Sequence, residues 1–280
     1  MKKRRKRLDW SAILPEAEKI VLSYDTPVTL RQLFYRLVAA QLIPNDTSAY
    51  KILSDRTAKA RRAGTFPNLA DYTREIQRYR SFGGPEEAVD WLADIYRRDR
   101  TEGQECAVYL VVEKATMTAQ LMTWFGDFGV RVAALRGYSS ETYIQDLVED
   151  IAGELEARER PAVVLYAGDF DPSGEDIERD FRARSGTGFL KAFIRVALTP
   201  DQVQEYALPE LPGKATDSRA PGFEERHGRL VQVELEALEP GILRELFTEH
   251  LNQYMDMFTF ERVLEQETAD RLILRGGIQT

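Results

Sequence analysis

The chain has 280 residues, 43% of them hydrophobic and 30% charged, with a net charge of -8, which is enough for two domains of ordinary size with a core in each. A single cysteine, Cys106, excludes an intramolecular disulfide, and no Cys/His cluster has zinc spacing. No apolar run reaches the roughly 18 residues of a membrane span, and MKKRRKRLDW has no apolar signal segment, so a cytoplasmic location and no membrane partner are expected.

The charge is uneven along the chain. Residues 1–100 carry +7 and the remainder -15, so the first part can meet phosphate while the second stays solvated. KKRRKR at 2–7 reads as a phosphate-gripping arm or as a plain charged tail. Residues 11–23, 29–42, 47–63 and 85–98 carry helical periodicity with little strand signal between them. Short helices with a basic surface and an extended element around TFPNL predict a winged-helix-like module, with a plain helical bundle as the alternative. Lys59, Arg61 and Arg62 form a basic face suited to a nucleic-acid backbone.

Within TLRQLFYRLV, residues 29–38, Leu30, Leu33, Phe34, Leu37 and Val38 make one apolar stripe. Tyr35 lies about 130° from the centre of that stripe at 100° per residue, and Arg31, four residues earlier, is its neighbour on the polar side. A tyrosine that only filled the core would sit in the stripe. A surface tyrosine on an amphipathic helix is the plainer alternative.

SFGGPEE at 81–87 and RRDRTEGQE at 97–105 read as joints, and the second divides an expected domain 1–100 from an expected domain 101–280. Beyond it the pattern alternates. CAVYLVV precedes a helix at 115–126, VRVAAL one at 140–158, AVVLYAG one at 174–184, and AFIRVAL one at 200–206. Apolar strands alternating with helices predict an α/β fold whose mostly parallel, Rossmann-like sheet is covered on both faces, with ligands at the carboxyl ends of its strands.

Three acids fall at those ends. Glu113 closes CAVYLVVE, while Asp169 and Asp171 follow AVVLYAG. Residues i and i+2 of an extended chain point to one side, so both aspartates can aim at one point, joined by Glu113 if the two strands are neighbours. Three adjacent carboxylates repel unless a cation lies between them, and an all-oxygen set suits Mg²⁺. Asp171 and Ser173 also suit a helix cap beside Pro172, and Asp-x-Asp after a strand also occurs in aspartate-nucleophile phosphatases. The segment 208–228 reads as a long loop from which Lys214 and Arg219 can contact DNA; Lys114, beside Glu113, can contact phosphate or pair with an acid.

VVEK at 111–114 and GDFDPSG at 168–174 resemble the Glu and Asp-x-Asp motifs of a Toprim domain, 56 residues apart from Glu113 to Asp169. VELEALEP at 233–240 resembles a segment that follows the Toprim core in the A subunit of topoisomerase VI, and TLRQLFYRLV resembles the Arg-to-Tyr motif of that subunit and of its meiotic relative. The resemblance implies a nucleophilic Tyr35 supported by Arg31, a metal site at Glu113, Asp169 and Asp171 in which Glu113 also serves catalysis, and a 5′-phosphotyrosyl product on double-stranded DNA. It further implies a homodimer with the tyrosine and the metal site drawn from different protomers. No GxxxxGK loop occurs, so an ATPase would be supplied by a partner chain, and the small A-like proteins of this family are the nearest description. A hydrolytic Toprim nuclease and an inert DNA-binding protein are the alternatives.

Overall fold

The structure, a computed structural model, describes residues 8–71, 79–136, 141–185 and 188–276. The basic arm at 2–7 lies outside the described residues. Contacts divide the chain into two compact units that interleave along the sequence: residues 1–72, 167–179 and 195–246 form the first, and 73–166, 180–194 and 247–280 the second.

In the first unit, α1 (Trp10–Leu22), α2 (Leu30–Ala39) and α3 (Thr47–Arg62) enclose a core. Each starts at a side-chain cap: Asp9 accepts from the Ser11 amide, Asp46 from the Ala49 amide, and Thr29 forms a reciprocal capping box with Gln32. The predicted stripe of α2 is largely the buried one, with Leu33, Phe34, Leu37 and Val38 packed among Ile13, Ala17, Val28, Ile43 and Leu53. Among the described residues, the extended element expected around TFPNL appears as a parallel bridge between Thr29 and Ala70.

The segment expected to be a long loop at 208–228 holds more regular structure than its composition suggests. Leu211–Pro212 pairs antiparallel with Val231–Gln232, and a helix spans Ala220–His227 between them. Pro221 suits the first turn of that helix, and Gly228 ends it in the left-handed conformation at φ 69°. Phe223 and Ala220 bury its inner face.

The second unit contains α4 (Pro85–Ile95), α5 (Thr118–Phe125), α6 (Glu141–Arg158) and α11 (Met257–Gly276) with most of the parallel sheet. The sheet is α/β in type and four-stranded, in the order β2-β1-β3-β4, from β1 (Ala107–Lys114), β2 (Arg131–Arg136), β3 (Ala162–Ala167) and β4 (Leu190–Ala197). β1 and β3 are buried along nearly their whole length, as uninterrupted apolar strands require. The chain passes into the first unit at the last residues of β3 and β4; α7 (Pro172–Ser185) and α10 (Pro240–Asn252) each straddle the division, and α8 (Pro200–Glu205) and the helix at Ala220–His227, α9, lie between them in the chain. Helix α4, placed by sequence in the first domain, groups with the second unit. Among the described residues, no helix is long and apolar enough to cross a membrane.

Candidate functional site

The site lies wholly within the first unit and begins with α2. Leu33, Phe34, Leu37 and Val38 fill the core, and Arg31 and Tyr35 stand one turn apart beside them, Tyr35 partly buried against the same core. Tyr35 is half-buried. Its ring meets Phe34 edge to face at 5.3 Å, and the Arg31 guanidinium sits 5.0 Å above the ring centroid. Arg31 Nη2 also lies 3.4 Å from the Tyr35 hydroxyl. Beside them opens a cleft of about 220 Å³ bordered by Arg31, Tyr35, Asp46 and Tyr50.

The acidic part is assembled by a short backbone pairing. The amide of Phe170 donates to the Val233 carbonyl at 2.9 Å, and the Val233 amide returns a bond to Phe170 at 3.0 Å. In an antiparallel pair the next residues out stand opposite one another with their side chains close, which sets Asp169 against Glu234. The chain then tightens into a 3₁₀ turn at Leu235–Ala237, whose first amide donates to Asp169 Oδ1 at 2.9 Å. Carboxylate oxygens of Asp169, Glu234 and Glu236 all lie within 4.8 Å of one another, and all three residues are buried.

Helix α2 and this turn are joined by side chains. Tyr35 Oη donates to Glu234 Oε1 at 3.1 Å, and Gln232 Nε2 donates to the same oxygen at 3.2 Å. Arg31 bridges two of the acids, with Nη2 3.1 Å from Glu234 Oε2 and Nε 3.1 Å from Glu236 Oε1. Arg36 Nη1 donates to the Ala237 carbonyl at 3.0 Å. Burial works against the Arg31 charge, but Glu236, Tyr35 and Glu234 outweigh it and raise the guanidinium pKa above the ordinary arginine value. Arg31 is a permanent cation here.

Asp169 is held from behind as well. Arg195 Nη2 donates to the Asp169 carbonyl at 2.6 Å and to that of Gly168 at 3.3 Å, its Nε donates to Leu198 at 2.7 Å, and its Nη1 pairs with Glu178 at 3.1 Å. One planar guanidinium thereby fixes the backbone where β3 ends. Three carboxylates converging in a buried place form an all-oxygen set that could hold a metal ion, with the hard-cation character that such donors select.

Of the residues singled out by sequence, Arg31 and Tyr35 are brought together with each other and, through Glu234, with the cluster that contains Asp169. Asp171 stands at the start of α7, where its Oδ1 accepts from the Gly174 amide at 2.7 Å; this is the helix-cap geometry. It is not a member of the cluster. Glu113 and Lys114 end β1 in the second unit, where Glu113 is fully buried and Lys114 half-buried. Lys59 and Arg62 are exposed on α3 and Arg61 is half-buried; Lys59 pairs with Asp55 at 2.8 Å. Lys214 is exposed, whereas Arg219 grips Asp217 through two nitrogens, at 2.8 Å each, and reaches Asp176 at 3.5 Å.

Sequence reasoning missed Glu234, Glu236, Gln232 and Arg195. The signal for the first two was available in VELEALEP, where Glu-x-Glu interrupts an apolar segment just as Asp-x-Asp follows one at 169–171. His227 bonds to Glu175 at 2.6 Å and packs on Phe170 and Phe223. No protein-family model matches the sequence, and no curated protein matches it.

Proposed function

We propose that this protein cleaves double-stranded DNA by Mg²⁺-dependent transesterification, with Tyr35 as the nucleophile. The observation that carries the reading is the hydrogen bond from the Tyr35 hydroxyl to Glu234, a member of a buried cluster of three carboxylates. A candidate nucleophile, a cation to receive its developing charge and an acidic oxygen cluster are thus within bonding distance of one another.

In this reaction Tyr35 Oη bonds to the phosphorus of a backbone phosphate and the bond from phosphorus to the 3′ oxygen breaks. The phenolic proton passes to solvent, and the departing 3′ oxygen takes a proton from water. The product is a 5′-phosphotyrosyl link. Arg31, 3.4 Å from Oη, offsets negative charge on that oxygen as the proton leaves. Asp169, Glu234 and Glu236 would hold Mg²⁺, which when bound supplies neutralising charge to a scissile phosphate and a leaving oxygen. The N-terminal helices serve as a winged-helix-type DNA-binding module, with Lys59, Arg61 and Arg62 on the DNA backbone and Lys214 and Arg219 as further contacts. The parallel sheet serves as a Toprim-type core, and Glu113 and Lys114 at the end of β1 are its remaining candidate site residues. Cuts in both strands require two copies of the chain, and strand passage would need an ATPase partner.

The test is trapping. Incubation with supercoiled plasmid and Mg²⁺, followed by denaturation, leaves DNA covalently attached to wild-type protein, and Tyr35→Phe leaves none. Free cut ends that persist in Tyr35→Phe but vanish in Asp169→Ala would replace this reading with water-driven hydrolysis.

A further inference from the structure

We infer that the groove between the start of α1 and the outer face of α3 binds a single strand of nucleic acid, with bases on its apolar floor and phosphates on Lys51 and Arg56. The inference goes beyond the proposed cleavage and does not rest on it, since it concerns binding alone. Every residue it uses lies in the first unit.

The groove encloses about 890 Å³, within the roughly 300–1,000 Å³ of ligand clefts. Leu8, Trp10, Pro44 and Ile52 supply its apolar surface. Leu8 and Trp10 pack on the core of the three helices, whereas Ile52 is 38% exposed. Together they make an apolar patch inside a concavity, not a scattered surface residue.

The charge on the rim decides what that patch accepts. Two acids and two cations border the groove, and the acids are already engaged: Asp46 accepts from the Ala49 amide at 2.8 Å, and Asp55 pairs with Lys59 at 2.8 Å. Lys51 and Arg56 are exposed and have no ion-pair partner among the described residues. Lys51, Arg56, Lys59 and Arg62 recur along the exposed side of α3, from residue 51 to 62, about 16 Å at 1.5 Å per residue. A lone phosphate would use one or two of these cations; a chain of phosphates uses the row. A duplex keeps its bases stacked and out of reach of Trp10 and Ile52, whereas an unpaired strand lays bases on aromatic and apolar side chains while its backbone follows the cations. Asp46 borders both this groove and the cleft beside Tyr35, so the two concavities meet at the start of α3.

Fluorescence anisotropy on the full chain tests this, with labelled oligo-dT and a labelled duplex as probes, at several salt concentrations and without Mg²⁺ so that no strand is cut. The Lys51→Ala/Arg56→Ala double variant is expected to bind oligo-dT more weakly and to lower the salt slope by about 1.4, two contacts at about 0.7 each for a single strand. Trp10→Leu is expected to weaken oligo-dT about fivefold or more through lost stacking, with the slope kept and the duplex little changed. Oligo-dT binding that is absent in wild type, or that keeps its strength and slope in the double variant, overturns the inference. So does Trp10→Leu that binds oligo-dT as wild type does, because the groove would then be a bare phosphate track, and so does an equal loss on duplex and oligo-dT. Unlabelled polyglutamate that displaces oligo-dT at equal charge assigns the groove to an acidic protein partner instead. Should Trp10→Leu melt well below wild type, Ile52→Ser, at an exposed position, takes its place under the same expectations. Protein that binds oligo-dT in this way but forms no adduct on plasmid keeps the groove and loses only the transesterase; adduct formation without oligo-dT binding does the reverse.

Discussion

Each unit buries charge, but in opposite proportions. In the second unit, Glu267 on α11 receives Arg100 through two nitrogens at 2.7 and 2.9 Å and Arg271 at 2.7 Å, and Glu154 on α6 receives Arg131, Arg158 and Arg160. There, arginines surround each carboxylate. In the first unit the pattern inverts: three carboxylates converge and the Arg31 guanidinium bridges two of them. Buried ion pairs owe their persistence to close partners, and taking one away is costly. Crowded carboxylates instead weaken a fold and are retained where function requires them. The same residue types therefore serve as fastening in one unit and as a prospective cation site in the other.

If that contrast is right, substitutions in the two clusters shift stability in opposite directions. The largest effect is expected from Arg100→Met, which leaves Glu267 facing one guanidinium fewer in a buried setting; denaturant unfolding should show a loss of about 3–5 kcal/mol. Asp169→Asn should act the other way, raising stability without metal by about 1 kcal/mol because it removes one of three repelling charges, while abolishing any rise in melting temperature on adding Mg²⁺. A fall in metal-free stability would break the comparison.

A smaller, pH-dependent effect follows from Glu267. The hydrogen bond from Arg100 leads the causes that hold its carboxyl below the ordinary 4.5, so its stabilising contribution is present above that value and is lost as pH falls through the lower, folded-state value. Glu267→Gln should therefore melt lower at neutral pH yet lose less on acidification than wild type. A parallel acid dependence in the two proteins would contradict the assignment. The smallest effect concerns Lys59, exposed and paired with Asp55. Lys59→Ala should leave the melting temperature unchanged and, if the proposed contact with DNA is made, reduce the salt dependence of that binding by about one counterion, which a titration at several salt concentrations would measure.

How legible all this was in the sequence depended on distance along the chain. The buried strands β1 and β3 stood out as apolar runs, and Tyr35 stood out because its position off the apolar stripe is a local property of ten residues. Asp169 was visible for the same reason, as an acid ending an apolar strand. Glu234 and Glu236 were not, because what gives them meaning is pairing across some sixty residues with Phe170 and across about two hundred with Tyr35, and no periodicity records a contact of that range. Asp171 shows the complementary limit: Asp-x-Asp suits a metal ligand and a helix cap equally, and the second aspartate accepts the Gly174 amide. Composition concealed the helix at Ala220–His227, since Pro221 and Gly228 read as loop residues until Phe223 is seen to be buried.

The pair of hydrogen bonds between Phe170 and Val233 does more than hold two extended segments together. Side chains alternate along extended backbone, so a slip of one residue exchanges the two faces. Sliding Val233 one position against Phe170 would turn Glu234 aside and bring an aliphatic side chain opposite Asp169, without changing any amino acid in the chain. The constellation of acids is thus a matter of phase: a single inserted residue between Gly228 and Val233 could erase it as completely as replacing both glutamates.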